Sequence, residues 1–414
     1  MRACAWGMSV LALVTVAAPG RAQESPTGAI IWKDGGMAGS GTQDGLQSWI
    51  ATFRPRAIAA GIAAATFDAA LRGATYLPKV VERDRTQNEF TKTIWDYLDT
   101  AVSEDRVQNG RTALRANAAL LAAIEARFAV DRHVVVAIWG LESAYGTYRG
   151  DTPVISAMAT LAYDGRRAAF FEAQLVAALR ILDGGEAELA DLTGSWAGAM
   201  GHTQFMPTSW LDVAVDFTGD GRRNIWGNDP ADALASTAAY LAKSGWVTGQ
   251  AWGLEVALPE GFDYEQTTEK VKKPVAEWAA MGVRPVAGGT LPDDGTASVL
   301  LPGGARGAAF LIFGNFQVIE TYNTADAYVV AVGHLADRLR GGPPIAAGWP
   351  RDLRALTLDE RTEMQRRLTD AGFVAGGVDG KIGPLTIAAV KAFQKSAGLV
   401  PDGYPSLDIL TRLR

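Results

Sequence analysis

The sequence predicts a mainly α-helical protein that carries a small strand-rich insertion and ends in a small helical domain. From residue 46 to about residue 245, apolar residues recur at helical spacing, alanine is abundant, and glycines mark the helix ends. Between about residues 252 and 316, short apolar runs alternate with Pro and Gly, which is typical of strands and turns. Two amphipathic stretches after residue 353 predict the helices of the terminal domain.

The amino terminus resembles a secretory signal peptide over residues 1–22. Arg2 precedes a short apolar run, and small residues surround Arg21 at the expected cleavage position. Residues 23–44 are rich in Gly, Ser, Thr and Asp, and we expect them to form a flexible leader. No other run approaches the roughly 20 apolar residues of a membrane span. The sequence therefore predicts an exported protein without a stable membrane anchor.

The composition argues against several classes of function. Cys4, the single cysteine, lies in the predicted signal peptide, so the processed chain would have neither disulfides nor a thiol nucleophile. Loss of Arg2 and Arg21 changes the formal net charge from −6 to −8, and an acidic chain is a poor partner for nucleic acid. Three histidines without the spacing of a zinc-binding helix argue against a zinc hydrolase.

The pattern divides the remaining chain into a large, mostly helical domain (residues 45–340), a Gly/Pro-rich linker (residues 341–352) and a terminal domain (residues 353–414). Residues 53–71 and 112–128 are each predicted to form one helix. The terminal domain contains a short self-similarity, because Val-Asp-Gly at 378–380 returns as Pro-Asp-Gly at 401–403. Both are predicted turns, and two copies are too few to indicate a solenoid.

Glu142 is the strongest candidate for a catalytic group. Residues 131–146 begin with Asp131, a good N-cap, and place Ile138, Trp139 and Glu142 on one stripe of a helix. A carboxyl group among apolar side chains keeps its proton near neutral pH, as a general acid must. The alternative is a structural glutamate at the edge of the stripe that only bonds a neighbouring loop.

Six stretches of the large domain occur in a recognisable order: WGLESAYG at 139–146, GSWAGAMG at 194–201, QFMP at 204–207, the loop 216–226, AAYL at 238–241 and FGNFQVIETYN at 313–323. Through them, residues 45–340 resemble the catalytic domain of the lytic murein transglycosylase B family, enzymes that cut the glycan strands of bacterial peptidoglycan. The terminal domain resembles a small three-helix peptidoglycan-binding domain through GVDGKIGPLT at 377–386, VKAFQ at 390–394 and GLVPDG at 398–403. This resemblance implies a lysozyme-like helical catalytic region, a periplasmic location and peptidoglycan glycan strands as the partner. It indicates no particular protein partner.

The family's lone catalytic carboxyl falls on Glu142. The resemblance implies that this group first protonates the glycosidic oxygen of the MurNAc–GlcNAc β-1,4 bond. Its carboxylate then accepts the proton of the sugar's own 6-hydroxyl, which closes a 1,6-anhydro ring on MurNAc. A tethered nucleophile needs no second carboxylate and no bound water.

The resemblance also assigns substrate-binding positions: Ser195 and Gln204 near the acid and the bound sugar, Arg166 and Arg167 for muropeptide carboxylates, and Tyr240, Tyr322 and Asn323 in the cleft. Phe170 falls where better-studied members have tyrosine, so ring packing is kept while any hydroxyl contact is lost. Each has a structural alternative. The glycines of 194–201 would serve the close approach of two helices, Ser195 would cap a helix, the arginines would form a solvated helix start and Tyr240 would belong to the core.

The loop 216–226 resembles the opening of a calcium-binding EF-hand loop. Oxygen-bearing side chains stand at its first, third, fifth and ninth positions, namely Asp216, Thr218, Asp220 and Asn224. The twelfth position is Gly227 and not the usual glutamate, so Asp229 or Asp232 would have to stand in. The proposed chemistry requires no cofactor, and calcium is the metal that this loop would take. The alternative is an ordinary Asp-Gly turn.

Two other functions remain open at this stage. A hydrolytic muramidase would need a second carboxylate about 5–9.5 Å from Glu142. A non-catalytic wall-binding scaffold would need no active carboxyl at all. Cleavage products would separate the first alternative from a transglycosylase, and replacement of Glu142 would test the second.

Overall fold

The computed structural model describes residues 41–86 and 92–414. The predicted signal peptide and residues 23–40 of the predicted leader lie outside the described residues. The chain forms two compact units, which are treated separately below. Within the described residues, the first unit comprises residues 41–85 and 149–212, and the second comprises residues 86–148 and 213–414.

Helices dominate the described chain, so the predicted mainly α-helical class is confirmed. The first nine, in chain order, are α1 (Gln43–Ala59), α2 (Ala64–Leu71), α3 (Pro78–Thr86), α4 (Ile94–Ala101), α5 (Glu104–Ala116), α6 (Ala118–Phe128), α7 (Arg132–Ser143), α8 (Val154–Asp164) and α9 (Ala168–Asp183). They are followed by α10 (Pro207–Val213), α11 (Ala231–Lys243), α12 (Val275–Ala280), α13 (Gly314–Tyr322), α14 (Asp326–Arg340), α15 (Leu358–Asp370), α16 (Pro384–Ser396) and α17 (Leu407–Leu413). No helix in the described part of the chain is both long and apolar enough to cross a bilayer.

The strands are short and fall into two antiparallel groups. They are β1 (Thr152–Pro153), β2 (Thr193–Gly194), β3 (Gly253–Ala257), β4 (Lys273–Pro274), β5 (Arg284–Pro285), β6 (Thr296–Leu300) and β7 (Ala309–Ile312). In the first unit, β1 pairs with β2. In the second unit, the other strands form one sheet in the order β4-β6-β7-β3-β5. This sheet spans residues 253–312, within the strand-rich insertion that the sequence predicts.

The first unit is built around α8 and α9, with α1 and α2 packed against them. Phe53 and Phe67 are buried in its core. The prediction of one helix over residues 53–71 is wrong, because α1 ends at Ala59 and α2 begins only at Ala64. Between them Gly61 adopts a positive φ of 91°, which glycine tolerates and which ends a helix.

The second unit is built around α7, which contacts α14, α5, α11 and α6. Residues 134–140 of α7 are buried without interruption, so this helix is apolar on all sides and not only along one stripe. The prediction of one helix over residues 112–128 is also wrong. Asn117 ends α5 and precedes α6, and its side-chain amide donates to the carbonyl of Ala113.

The terminal domain consists of α15, α16 and α17 around a core that includes Met364, Leu368, Val390 and Leu410. It is the predicted three-helix domain. A capping box of Thr357 and Glu360 begins α15.

The linker before the terminal domain is irregular but held in place. The Glu255 carboxylate accepts the backbone N–H groups of Ala346 and Ala347, and Arg351 pairs with Asp99 at 2.7 Å. The terminal domain therefore belongs to the second unit and is not tethered loosely to it.

Candidate active site

The end of α7 forms a closed turn that fixes Glu142. After Ser143 the chain takes three positive φ values in succession, at Ala144, Tyr145 and Gly146. The Ser143 hydroxyl oxygen accepts the N–H of Gly146 at 2.9 Å. An alanine at Gly140 would place its Cβ only 2.6 Å from the Tyr145 ring. The motif WGLESAYG thus builds a tight helix stop beside the glutamate.

Glu142 itself lies in apolar surroundings and remains partly accessible. The buried Tyr328 hydroxyl donates a hydrogen bond of 2.6 Å to Glu142 Oε1. Burial raises the pKa of Glu142 to about 8, although the hydrogen bond from Tyr328 acts in the opposite direction. The carboxyl group is therefore protonated at neutral pH, as the sequence reasoning expected of a general acid.

Two tyrosines complete the surroundings of Glu142, and sequence reasoning missed both. Burial, followed by the negative charge of Glu142, raises the pKa of Tyr97 and of Tyr328. Both hydroxyls therefore stay protonated and can only donate to a carboxylate. One signal was available for Tyr328, because it is a lone hydroxyl-bearing residue at the head of the apolar run Val329–Val332 in a predicted helix.

The predicted cleft residues of the second unit lie together. Tyr240 and Tyr322 stack edge to face with ring centres 5.1 Å apart, and Tyr322 contributes to the raised pKa of Tyr328. The Tyr240 hydroxyl donates to the Thr321 carbonyl at 2.7 Å. The Asn323 amide oxygen accepts the N–H of Ala325. For contact with a ligand, these residues therefore have ring faces and the Asn323 amide NH₂ group. The Tyr240 hydroxyl proton already makes a hydrogen bond within the protein.

In the first unit, the Gly-rich segment 194–201 folds back on itself. An alanine at Gly194 would overlap the carbonyl of Ala199, so this glycine serves a close approach within the loop and not between two helices. The buried Ser195 hydroxyl accepts the N–H of Ala199 at 3.1 Å and closes the same loop. No helix begins at Ser195, so its hydroxyl does not cap a helix, as the structural alternative expected, but holds this loop.

Gln204 follows in an unusual backbone conformation, with a φ of 55° that non-glycine residues rarely adopt. Its amide NH₂ donates to the carbonyls of Arg149 (3.0 Å) and Gly201 (2.8 Å). The amide oxygen makes no hydrogen bond to the described residues. Backbone strain of this kind is common at binding sites.

The two predicted arginines have different surroundings. Arg166 makes a bidentate ion pair with Asp84, whose side chain is buried. The Arg167 guanidinium instead lies over the Phe170 ring, 4.2 Å from its centre, and burial lowers its pKa. Arg166 is therefore engaged within the protein, whereas Arg167 and Phe170 form a cation–π pair.

The calcium-like loop is arranged around a residue outside the four predicted ligands. Carboxylate oxygens of Asp216, Asp220 and Asp232 lie within 4.8 Å of one another. The Thr218 hydroxyl donates to Asp216, and the Asn224 amide oxygen accepts two backbone N–H groups within the loop. Burial, with the charge of Asp216, raises the pKa of Asp232. Asp232 thus brings the third carboxylate to this cluster, and three carboxylates are a donor set of the chemistry that calcium prefers.

Comparison with known proteins agrees with this geometry. The family described as "Transglycosylase SLT domain" matches residues 45–337, and "Putative peptidoglycan binding domain" matches residues 357–413. The chain belongs to the lytic murein transglycosylase B family. The family assignment and the lysozyme-like fold predicted from sequence are confirmed.

Similar proteins occur in Escherichia coli and Pseudomonas aeruginosa. The "Membrane-bound lytic murein transglycosylase B" of Escherichia coli is 35% identical over 246 residues, which cover 58% of this chain and 65% of that protein. The crystal structure of Pseudomonas aeruginosa SltB3 with NAG-NAM-pentapeptide is 50% identical, with a TM-score of 0.87 over 89% of this chain and 99% of that one. Escherichia coli Slt35 in complex with calcium is 29% identical, with a TM-score of 0.61 over 72% of this chain and 93% of that one.

Proposed function

We propose that the chain is an exported, periplasmic lytic transglycosylase that cleaves the MurNAc–GlcNAc β-1,4 bond of peptidoglycan and leaves 1,6-anhydro-MurNAc. The feature that supports this most directly is the half-buried Glu142 at the end of α7, whose pKa burial raises to about 8. The relatives named as murein transglycosylases, and the SltB3 complex with NAG-NAM-pentapeptide, support the substrate class.

The reaction needs one carboxyl group used twice. Protonated Glu142 gives its proton to the glycosidic oxygen, and the bond from that oxygen to C1 of MurNAc breaks. The 6-hydroxyl oxygen of the same MurNAc then forms a bond to C1, and the Glu142 carboxylate takes the hydroxyl proton. Atoms balance without water, and the enzyme returns to its protonated state. The attacking oxygen is already tethered, so its effective concentration is high.

The surroundings of Glu142 favour this path over hydrolysis. Among the described residues, burial and the Tyr328 hydrogen bond account for the shifted pKa of Glu142, and no other carboxylate contributes. The sequence offers Asp151 and Glu172 in nearby segments as a second carboxylate; Glu172 is paired with Arg56 at 2.7 Å, and Asp151 is exposed. A muramidase would need a second free carboxylate to activate water or attack the sugar.

Analysis of the cleavage products tests the proposal. Purified enzyme is incubated with isolated sacculi, and the soluble fragments are examined by mass spectrometry. We expect fragments that end in anhydromuramic acid, which are lighter by one water than hydrolytic products. Reducing ends alone would establish the muramidase alternative, and no release of fragments would favour the scaffold.

The proposed substrate contacts follow from what each side chain still offers. Tyr240 and Tyr322 offer ring faces to pyranose rings, and Asn323 offers its amide NH₂. Gln204 offers a free amide oxygen to a sugar hydroxyl or acetamido N–H. Ser195 supports substrate binding indirectly, because its hydroxyl holds the loop of residues 194–201 in place.

Arg166 and Arg167 provide a matched pair of variants. Arg166→Ala leaves the buried Asp84 carboxylate without its partner, and we expect a loss of about 2–4 kcal/mol in the free energy of unfolding. Arg167→Ala removes a group that is free to bind a muropeptide carboxylate, and we expect a several-fold higher KM with little change in stability. Denaturant unfolding and initial rates measure the two effects. Equal loss of stability in both variants would contradict this division.

We also propose that Asp216, Asp220 and Asp232 hold a calcium ion that stabilises the loop without entering the chemistry. The calcium complex of Slt35 supports this assignment by similarity. Calcium at one hundred times its Kd should add about 2.7 kcal/mol to the free energy of unfolding. Thermal unfolding with calcium and with chelator measures the shift, and Asp220→Asn should abolish it. An identical Tm under both conditions would show that the loop takes no calcium.

A further inference from the structure

An arginine of α5 contacts the end of the helix that carries Glu142. The Arg106 guanidinium donates to the carbonyl of Gly140, and Gly140 begins the last turn of α7. The same carbonyl accepts the backbone N–H of Ala144, where the helix ends. A cation suits this place, because the carbonyl end of a helix carries a partial negative charge. Arg106 thus fixes the turn of α7 to which Glu142 belongs.

The backbone of Arg106 contacts the chain on the other side of the glutamate. The Tyr145 hydroxyl donates to the Arg106 carbonyl at 2.7 Å, and Tyr145 has a left-handed backbone with a φ of 59°. Its ring lies where glycines of α5 and α7 leave room. A Cβ on Gly110 would overlap the Tyr145 hydroxyl, and a Cβ on Gly140 would lie 2.6 Å from the ring. Arg106 therefore contacts the residue two positions before Glu142 and the residue three positions after it.

The Arg106 guanidinium is poorly compensated for a buried group. Its Nε–H is out of contact with solvent and makes no hydrogen bond to any residue that the structure describes. No carboxylate in the same part of the chain pairs with it. A buried donor without a partner is costly, and buried cations are normally paired. Such a cost is expected where a group serves function as well as stability.

Arg106 and Glu142 share a neighbour, Tyr97. Burial raises the pKa of Tyr97, the charge of Glu142 raises it further, and the charge of Arg106 acts in the opposite direction. The Tyr97 hydroxyl is thus within electrostatic range of both side chains. The pKa of Glu142 itself is set by burial and by Tyr328, without a contribution from the Arg106 charge. Arg106 therefore acts on Glu142 through its contacts with the end of α7.

We propose that Arg106 is a positioning residue for Glu142, which holds the last turn of α7 through Gly140 and Tyr145 and so keeps the carboxyl group against Tyr328. This inference rests on the proposed function and adds a residue to it. Proton transfer needs the acid within about 2.6–3.2 Å of the glycosidic oxygen. A displacement of about 1 Å can lower a rate about 100-fold. The alternative is an arginine that only stabilises the packing of α5 on α7.

Arg111, on the same helix, provides a matched control. Its guanidinium donates to the carbonyl of Arg338 at 2.9 Å, near the end of α14. Both α5 arginines are half-buried, and each donates to a carbonyl near the end of a helix that packs on α5. They differ in one respect, because only α7 ends beside Glu142. Loss of either arginine should therefore have a similar effect on stability and a different effect on catalysis.

Arg106→Met and Arg111→Met are compared in the full chain. Denaturant unfolding should show similar losses of stability, because each variant loses a charged donor to a backbone carbonyl. We expect Arg106→Met to lower kcat for release of anhydromuropeptides about 10- to 100-fold with little change in KM. Arg111→Met should keep the wild-type kcat. Arg106→Lys should regain part of the lost rate, because its ammonium can still donate to the Gly140 carbonyl.

A second measurement follows the pKa of Glu142 without using activity. The difference in Tm between a parent and its Glu142→Gln variant changes with pH according to that pKa. A looser turn lets water reach the carboxyl group, so with Arg106→Met we expect the pKa to fall below the wild-type value of about 8. The Tm difference should then rise less between pH 5 and pH 8. With Arg111→Met it should rise as in the wild type.

A wild-type kcat in Arg106→Met, or equal losses of kcat in Arg106→Met and Arg111→Met, would overturn the proposal. An unmoved pKa of Glu142 would overturn it too. If Arg106→Met does not fold, Arg106→Lys gives the same comparison with a smaller loss of kcat. A wild-type enzyme that released no anhydromuropeptides would contradict the proposed function, whereas the Tm comparison would still report on Arg106, so the two failures are distinguishable.

Discussion

Glu142→Gln is expected to lower the rate of peptidoglycan cleavage by about three to four orders of magnitude, because the mechanism uses this side chain first as an acid and then as a base. Glutamine can neither give up a proton nor accept one from the 6-hydroxyl. It keeps the size of the side chain, so binding of sacculi should be unchanged. Release of anhydromuropeptides, measured by chromatography and mass spectrometry, gives the rate.

Glu260→Gln is a suitable control, since Glu260 is exposed in the strand-rich insertion. It should retain full activity. A Glu142→Gln enzyme that kept more than a tenth of the wild-type rate would remove Glu142 from the mechanism.

Stability should respond to Glu142→Gln in the opposite direction from activity. Burial raises the pKa of Glu142 from an ordinary 4.5 to about 8, so folding favours the protonated form. Below about pH 4.5 the Glu142 carboxyl is protonated in both the folded and the unfolded state, so it does not change the free energy of unfolding. As the pH rises from there to about 8, this carboxyl ionises in the unfolded chain but not in the folded protein. The free energy of unfolding therefore falls by up to about 1.4 kcal/mol per pH unit. The Tm of the variant, relative to wild type, should therefore rise between pH 5 and pH 8.

Local sequence patterns were enough to place Glu142 on a helix. Its N-cap at Asp131 and its end before Gly146 depend on neighbours within a few positions, although the helix ends at Ser143, earlier than the sequence predicts. The same patterns did not predict a break between two helices where no Gly or Pro marks it. Asn117 separates two helices although asparagine is only a moderate helix breaker.

Partners from distant segments could not be read from the chain. Tyr328 lies 186 residues after Glu142, and Asp84 lies 82 residues before Arg166. Nothing in helical periodicity connects such positions. The sequence therefore assigned Arg166 and Arg167 the same role, whereas the structure pairs Arg166 with Asp84.

The calcium-like loop shows the limit of a motif. The spacing of Asp216 and Asp220 was informative, and both carboxylates join the cluster. Thr218 and Asn224 match the motif equally well, but they bring no carboxylate, and their oxygens make hydrogen bonds within the loop, as do those of Asp216 and Asp232. The third carboxylate, Asp232, comes from the first turn of α11 and was only one of two stand-ins that the sequence offered.

Tyr328→Phe is expected to lower kcat by about 10- to 100-fold, since a hydrogen bond to a charged group contributes about 1.5–3 kcal/mol. When Glu142 has given its proton to the leaving oxygen, it becomes a carboxylate in apolar surroundings. The Tyr328 hydroxyl, 2.6 Å from Oε1, is the donor that stabilises this charge. Phenylalanine fills the same space without the hydroxyl, so the variant should fold normally. Tyr148→Phe, at an exposed tyrosine, is the matched control.

The pH profile of Tyr328→Phe distinguishes this role from a purely structural one. The hydrogen bond lowers the pKa of Glu142 relative to burial alone, so its loss should raise that pKa above the wild-type value of about 8. Activity requires the protonated acid, and it should therefore decline on the basic side at a higher pH in the variant than in the wild type. The variant would be slower at every pH and yet remain active further into the basic range. A lower rate with an unmoved basic limb would mean that Tyr328 supports the packing of α14 and not the charge on Glu142.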